Sequence, residues 1–175
     1  EALRELSYRG FVVSKQGIGT FVNDQFTGCL LEVIEARKYV EKGTAYYAAL
    51  SITPQKAQKL LKVVKSMEGK VIEHDYERFS LQDLEFHSLI AELSGNRVFQ
   101  KIMQTLSDFM LPQQIIVQKL PGAIERAHHY HYLIVDAILK KDPELSSKII
   151  EEHLEDVRQA VLKHENSREH PLVAK

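Results

Sequence analysis

A chain of 175 residues, 44% hydrophobic and 27% charged, is long enough to bury a sizeable core and falls among soluble globular proteins, with one main domain and a small appendage expected. A net charge of -1 makes the whole chain a poor electrostatic trap for nucleic acid, so any DNA contact needs a local patch or a missing segment. One cysteine, Cys29, excludes an intramolecular disulfide framework and fits a reducing cytoplasm, while no membrane-length apolar run and no signal peptide is present.

The chain opens without an initiator methionine. Glu1-Ala2-Leu3-Arg4-Glu5-Leu6 reads as the middle of an amphipathic helix lacking a cap, so an N-terminal portion is expected to be absent. Phe11 to Lys15 reads as a short strand, Gln16-Gly17-Ile18-Gly19 as a tight turn, and Thr20-Phe21-Val22 as the returning strand. A helix followed by a hairpin with a glycine tip has the shape of a winged helix-turn-helix with its front missing. A plain hairpin accounts for the same residues. Residues 1–23 form this unit, 24–28 a polar linker, 29–166 an all-helical domain and 167–175 a tail.

The domain is expected to be all-α, an antiparallel bundle of about six helices. The first spans about Cys29–Leu50, with Leu30, Val33, Ile34, Ala45 and Ala48 on one stripe. Thr53-Pro54 supplies a cap and a first-turn proline for a helix reaching about Ile72, whose apolar face is Ala57, Leu60, Leu61, Val64 and Met67. A third runs from about Tyr76 to Leu93 and ends at Ser94-Gly95-Asn96. The fourth, about Val98–Lys119, contains Pro112, where a kink is expected. After the Leu120-Pro121-Gly122 break come helices at about Ala123–Lys141 and, capped by Asp142, at about Pro143–Glu165.

Asp83, His87, His131 and His153 stand out among these helices. Asp83 and His87 are four apart and share one helix face with Phe86, Ile90 and Ser94. His131 and His153 each lie eleven residues from Asp142. If the two segments fold back as an antiparallel pair, a rise of ~1.5 Å per residue puts both imidazoles level, about 16 Å from the turn. His131 sits with Ile134, Val135 and Ile138, and His153 with Ile149, Ile150, Val157 and Ala160. Taken singly, each histidine reads as a satisfied core residue, but a buried Asp without a partner is costly. Together the four read as a site for one divalent transition metal, zinc or nickel foremost, with manganese, cobalt and iron open. Zinc with four protein ligands closes a tetrahedron, whereas a larger coordination number leaves positions for water or a ligand. His128 falls near the same face and could support the site from behind. His129 falls nearer solvent, and His74, His164 and His170 lie at helix ends or in the tail.

Arg37 falls mid-stripe on the first bundle helix, four residues before Glu41. It reads either as the core partner of Glu41 or as a guanidinium aimed into the bundle to hold an anionic ligand, since its planar fork matches a carboxylate.

These residues resemble the FadR subfamily of GntR-type transcriptional regulators, in particular their metal-containing C-terminal effector domain of FCD type. The resemblance covers nearly the whole chain. Glu1 to Leu6 is similar to the end of the family's recognition helix, and Gly10-Phe11-Val12 with Gly17-Ile18-Gly19-Thr20-Phe21-Val22 to its wing. Glu35-Ala36-Arg37 with Glu41 resembles the opening of the effector domain. Asp83-Leu84-Glu85-Phe86-His87, continuing to Ser94-Gly95-Asn96, resembles the segment with the first two metal ligands. His131, followed by Ile134-Val135-Asp136-Ala137-Ile138, and His153 resemble the other two. Tyr130 stands where the family often has an acidic residue.

The resemblance implies a cytoplasmic, homodimeric repressor or activator and not an enzyme. It would bind operator DNA through the recognition helix and wing, with Arg4, Gly17 and Gly19 as candidate DNA residues. A small organic acid would bind at the metal, with Arg37 as its clamp, and alter operator affinity. Two other readings compete. A helical-bundle hydrolase needs an open metal position and a positioned base, and Glu85 points away from the Asp83–His87 face. A purely structural metal in a dimerisation module is the other, and the wing favours regulation over both.

Overall fold

The structure, a computed structural model, describes residues 2–3, 7, 12–22 and 30–169, with the side chains of 13, 15, 21–22, 108–109, 111–113 and 167–169 left aside. Arg4, the expected linker at 24–28 and His170 lie outside these residues. The chain divides into two units, Glu1–Leu30 and Leu31–Lys175.

In the first unit β1 (Val12–Lys15) pairs antiparallel with β2 (Gly19–Val22), in a register that sets Val12 opposite Val22 and Lys15 opposite Gly19. The turn demands glycine. Gly17 has φ 76° and Gly19 φ 142°, and a side chain at either position would be strained. Ser14 and Thr20 join their hydroxyls across the strands at 2.9 Å.

The second unit is helical: α1 (Leu30–Ser51), α2 (Pro54–Ile72), α3 (Tyr76–Leu93), α4 (Arg97–Gln118), α5 (Ala123–Leu139) and α6 (Pro143–Glu169). The expected boundaries hold to within a few residues. The caps explain why. Thr53 accepts from the Lys56 N–H at 3.3 Å, and Asp142 accepts from the Leu145 N–H at 3.0 Å, each just before a proline that opens a helix. Asn96 accepts from Val98 and Phe99 to start α4, and Gly95 takes φ 74° to end α3. Helix α4 runs through Pro112, and α6 continues to Glu169.

Helix α3 packs against α2 and α4, and α5 against α2 and α6. The core between them holds Leu60, Val64, Met67, Phe79, Phe86, Ile90, Ile134, Ile138, Ile150 and Leu154, all buried. Helix α1 joins through smaller residues. Its Ala45 carbonyl accepts the Ser146 hydroxyl of α6 at 3.2 Å, and Lys38 and Lys42 reach Glu155 and Glu151 of α6 at 2.9 and 2.6 Å. Burying the Val33, Ile34, Ala45, Ala48 and Ala49 stripe also buries Arg37 and Glu41 on the same face. No helix of the described residues is long and apolar enough to cross a membrane.

Candidate metal centre

The helical periodicity of α3, α5 and α6 delivers four polar side chains to one point in this core. Asp83 and His87 of α3, His131 of α5 and His153 of α6 are each buried, and each offers one ligand atom such that all four atoms lie within 4.8 Å of one another. The equal spacing of His131 and His153 from the α5–α6 turn has its expected consequence: their ring centroids are 5.1 Å apart. His87 lies parallel to His153 at 5.4 Å and nearly perpendicular to His131 at 5.3 Å. Phe86 covers His131 at 4.3 Å between centroids, and Tyr130 covers His153 at 5.4 Å, so an apolar rim surrounds the polar cluster.

The polar atoms at the centre are poorly served by the protein. Asp83 Oδ1, His87 Nε2, both ring nitrogens of His131 and His153 Nδ1 are buried without a hydrogen-bond partner among the protein groups. His131 Nε2 approaches Asp83 Oδ1 to 3.2 Å, and His87 Nε2 approaches Asp83 Oδ2 to 3.9 Å, neither in hydrogen-bond alignment. Leaving a buried polar atom unpaired costs about 1–3 kcal/mol, so an unpartnered Asp83 oxygen and an unpartnered nitrogen on each of three imidazoles are a large local cost unless a cation takes those four lone pairs. One carboxylate oxygen and three imidazole nitrogens form a donor set that suits zinc and its neighbours in the transition series. The residues therefore fit a metal.

Charge states agree with this. Burial pushes His131 down to about 4, against the opposing pull of Asp83, and burial beside His131 and His87 pushes His153 well below its ordinary value. Both imidazoles are thus neutral near pH 7, the form that ligates metals. Burial alone would raise the Asp83 carboxyl, but the close approach of His131, His87 and Arg37 outweighs it and holds the group well below the usual carboxylate range.

A second layer comes from α1 and α4. Glu41 Oε2 lies 2.6 Å from His87 Nδ1, a close contact without good hydrogen-bond alignment, and Arg37 Nε pairs with Glu41 Oε1. Burial pushes Glu41 up, but Arg37 and His87 pull it down to about 2. A carboxylate behind a ligating imidazole fixes which ring nitrogen faces the metal. Arg37 accordingly forms the ion pair with Glu41 that its spacing suggested, while its Nη2 is buried without a protein partner. From α4, the Gln114 amide donates to Asp83 Oδ2 at 2.6 Å. Glu41 as a partner of His87 and Gln114 as a partner of Asp83 were not legible in the sequence. Helix α4 carries many polar residues, and Gln118 is buried on it as well, so nothing in the sequence singles out Gln114.

Other histidines go elsewhere. His128 is buried, but its Nε2 meets the Val64 carbonyl at 3.1 Å, so it ties α5 to α2 and does not back the cluster. His129 and His74 are exposed, the latter with Glu125 at 3.7 Å. Glu85 is exposed on the outer face of α3. Gly17 lies in the hairpin turn and Gly19 opens β2, both in the other unit.

An all-helical bundle thus gathers an Asp and three His from three helices, and sequence comparison gives the class. Residues 32–156 match the FCD domain. The chain belongs to the FCD-domain family of GntR-type transcriptional regulators. It is 30% identical over 93% of its length, and over 72% of the relative's, to the HTH-type transcriptional regulator YcbG of Bacillus subtilis. It is 27% identical over 90% of its length, and 67% of the relative's, to the HTH-type transcriptional repressor NanR of Cronobacter sakazakii. Among solved structures, GntR of Streptococcus agalactiae superposes with a TM-score of 0.65 at 25% identity, covering 90% of this chain and 78% of that one. YcbG and NanR are both named as regulators of transcription.

Proposed function

We propose that this chain senses a small carboxylate at a buried metal and passes the event to DNA. One divalent transition metal, zinc or nickel foremost, is held by Asp83, His87, His131 and His153. The observation that carries this reading is the cluster itself: four ligand atoms within 4.8 Å, buried, and largely without protein partners. When bound, the metal supplies a Lewis-acidic centre for an anionic effector. Arg37 faces the same region with one unpartnered nitrogen, and a guanidinium together with a cation offsets the desolvation of a carboxylate. The hairpin serves as the wing of a DNA-binding unit, with Gly17 and Gly19 shaping its tip, and Arg4 is a further candidate for contact with DNA. The regulator acts as a cytoplasmic homodimer on operator DNA. The names of YcbG and NanR as HTH-type regulators support the reading of a DNA-binding unit.

The test joins metal analysis to calorimetric titration. Purified protein should hold one metal per chain, and titration with mono-, di- and tricarboxylates should find one that binds the metal-loaded form. Arg37→Lys keeps the charge but loses the bidentate fork, so affinity for that acid should fall by about tenfold while metal content is unchanged. Equal affinity in wild type, Arg37→Lys and Arg37→Ala would return Arg37 to the role of core partner to Glu41.

A further inference from the structure

We propose that Gln114 sets how Asp83 binds the metal, confining it to a single oxygen and thereby selecting among ions. The proposal rests on the metal reading of the cluster and extends it to a helix, α4, that contributes no ligand. The two oxygens of Asp83 have different surroundings. Oδ2 accepts the Gln114 amide at 2.6 Å, whereas Oδ1 is buried without a hydrogen-bond partner and lies 3.2 Å from His131 Nε2. An ionised carboxylate only accepts, so the amide nitrogen and not the amide oxygen must face it. A short bond from a buried amide to a charged oxygen is among the stronger hydrogen bonds, and Gln114 is 6% exposed, so little water competes.

That bond opposes rotation of the carboxylate into a two-oxygen grip. Oδ1 remains the ligand, and the protein offers one oxygen and three nitrogens. Zinc is satisfied by such a set of four, or by four with one added ligand. Manganese and other oxygen-preferring ions take more oxygen donors, and a second carboxylate oxygen is the nearest one available. Gln114 thus tilts the site toward zinc-like ions and keeps a coordination position free of protein.

The experiment uses the full chain. X-ray absorption on the zinc-loaded wild type should show Asp83 bound through one oxygen at about 2.0–2.2 Å with no second carboxylate oxygen. Gln114→Met and Gln114→Leu keep an apolar side chain of similar bulk in place of the amide. In both, the visible spectrum of the cobalt-substituted protein should weaken as the coordination number rises. Zinc affinity should fall by about 10-fold to 100-fold, and the zinc-over-manganese preference should narrow. A two-oxygen Asp83 in the wild type overturns the proposal, and so do folded variants with an unchanged cobalt spectrum and an unchanged zinc-to-manganese ratio. Where neither variant folds, a second carboxylate oxygen on the metal in the wild type still overturns the proposal. Wild-type protein that takes up no stoichiometric zinc would refute the metal reading itself, separately from any effect of Gln114.

Discussion

Removing His153 tests whether the cluster is a metal site or an expensive piece of core. Metal that binds only the native state stabilises it by mass action, about 2.7 kcal/mol when free zinc is a hundredfold above Kd. For a domain of this size each kcal/mol moves the melting temperature by roughly 2–4 °C, so zinc should raise it by about 5–11 °C relative to chelator-treated protein. His153→Ala deletes one of four ligand atoms. If zinc weakens a hundredfold, the same free concentration contributes only about 0.4 kcal/mol, a shift of about 1–2 °C. The metal-free melts should differ less. The substitution leaves a cavity beside Leu154 and Ile150, but it also removes His153 Nδ1, a buried nitrogen without a protein partner, and the two effects oppose one another. Differential scanning calorimetry with and without zinc, on both proteins, reads all four values. Zinc-induced shifts of equal size in wild type and His153→Ala would refute the role assigned to His153.

The sequence exposed what depends on local chemistry and spacing, and hid what depends on where helices meet. Thr53-Pro54, Asp142-Pro143 and Ser94-Gly95-Asn96 announce helix ends because capping is decided within a few residues. Asp83 and His87 share a face by helical period, and His131 meets His153 because an antiparallel hairpin converts equal spacing from the turn into equal height. Gln114 and Glu41 were different. The bond from Gln114 to Asp83 spans 31 residues, and the contact of Glu41 with His87 joins α1 to α3. Neither follows from period or spacing, since both depend on the lateral order of helices in the bundle. His128 shows the opposite error. Its helical phase pointed toward the cluster, yet the neighbouring α2 supplies the Val64 carbonyl, and a buried imidazole turns to the nearest satisfied bond.

Acid should unfold the metal-free protein from the histidines first. His131 sits at about 4 and His153 is also depressed, so below about pH 6.5 the unfolded chain binds protons that the native state refuses. Stability is therefore complete above that pH and falls as the pH drops toward 4, by up to about 1.4 kcal/mol per pH unit for each group. Glu41, at about 2 against an ordinary 4.5, adds a further loss at lower pH. Urea midpoints in chelator that stay flat from pH 7 to pH 4 would contradict this. Single and double substitutions separate the two roles of the Arg37–Glu41 pair. Both residues are buried, so Arg37→Met strands the Glu41 carboxylate with only the poorly aligned His87 contact and should cost about 3 kcal/mol, the lower end for breaking a buried pair. Arg37→Met with Glu41→Leu replaces the pair by apolar side chains and should recover most of that stability. It also removes the carboxylate behind His87, so zinc affinity should drop by about tenfold or more even though the fold is restored. Denaturant midpoints and zinc competition on the same three proteins read both quantities. A double variant as unstable as the single one, with wild-type zinc affinity, would mean that the pair neither strains the core when broken nor orients the imidazole, and α1 would then have no part in the site.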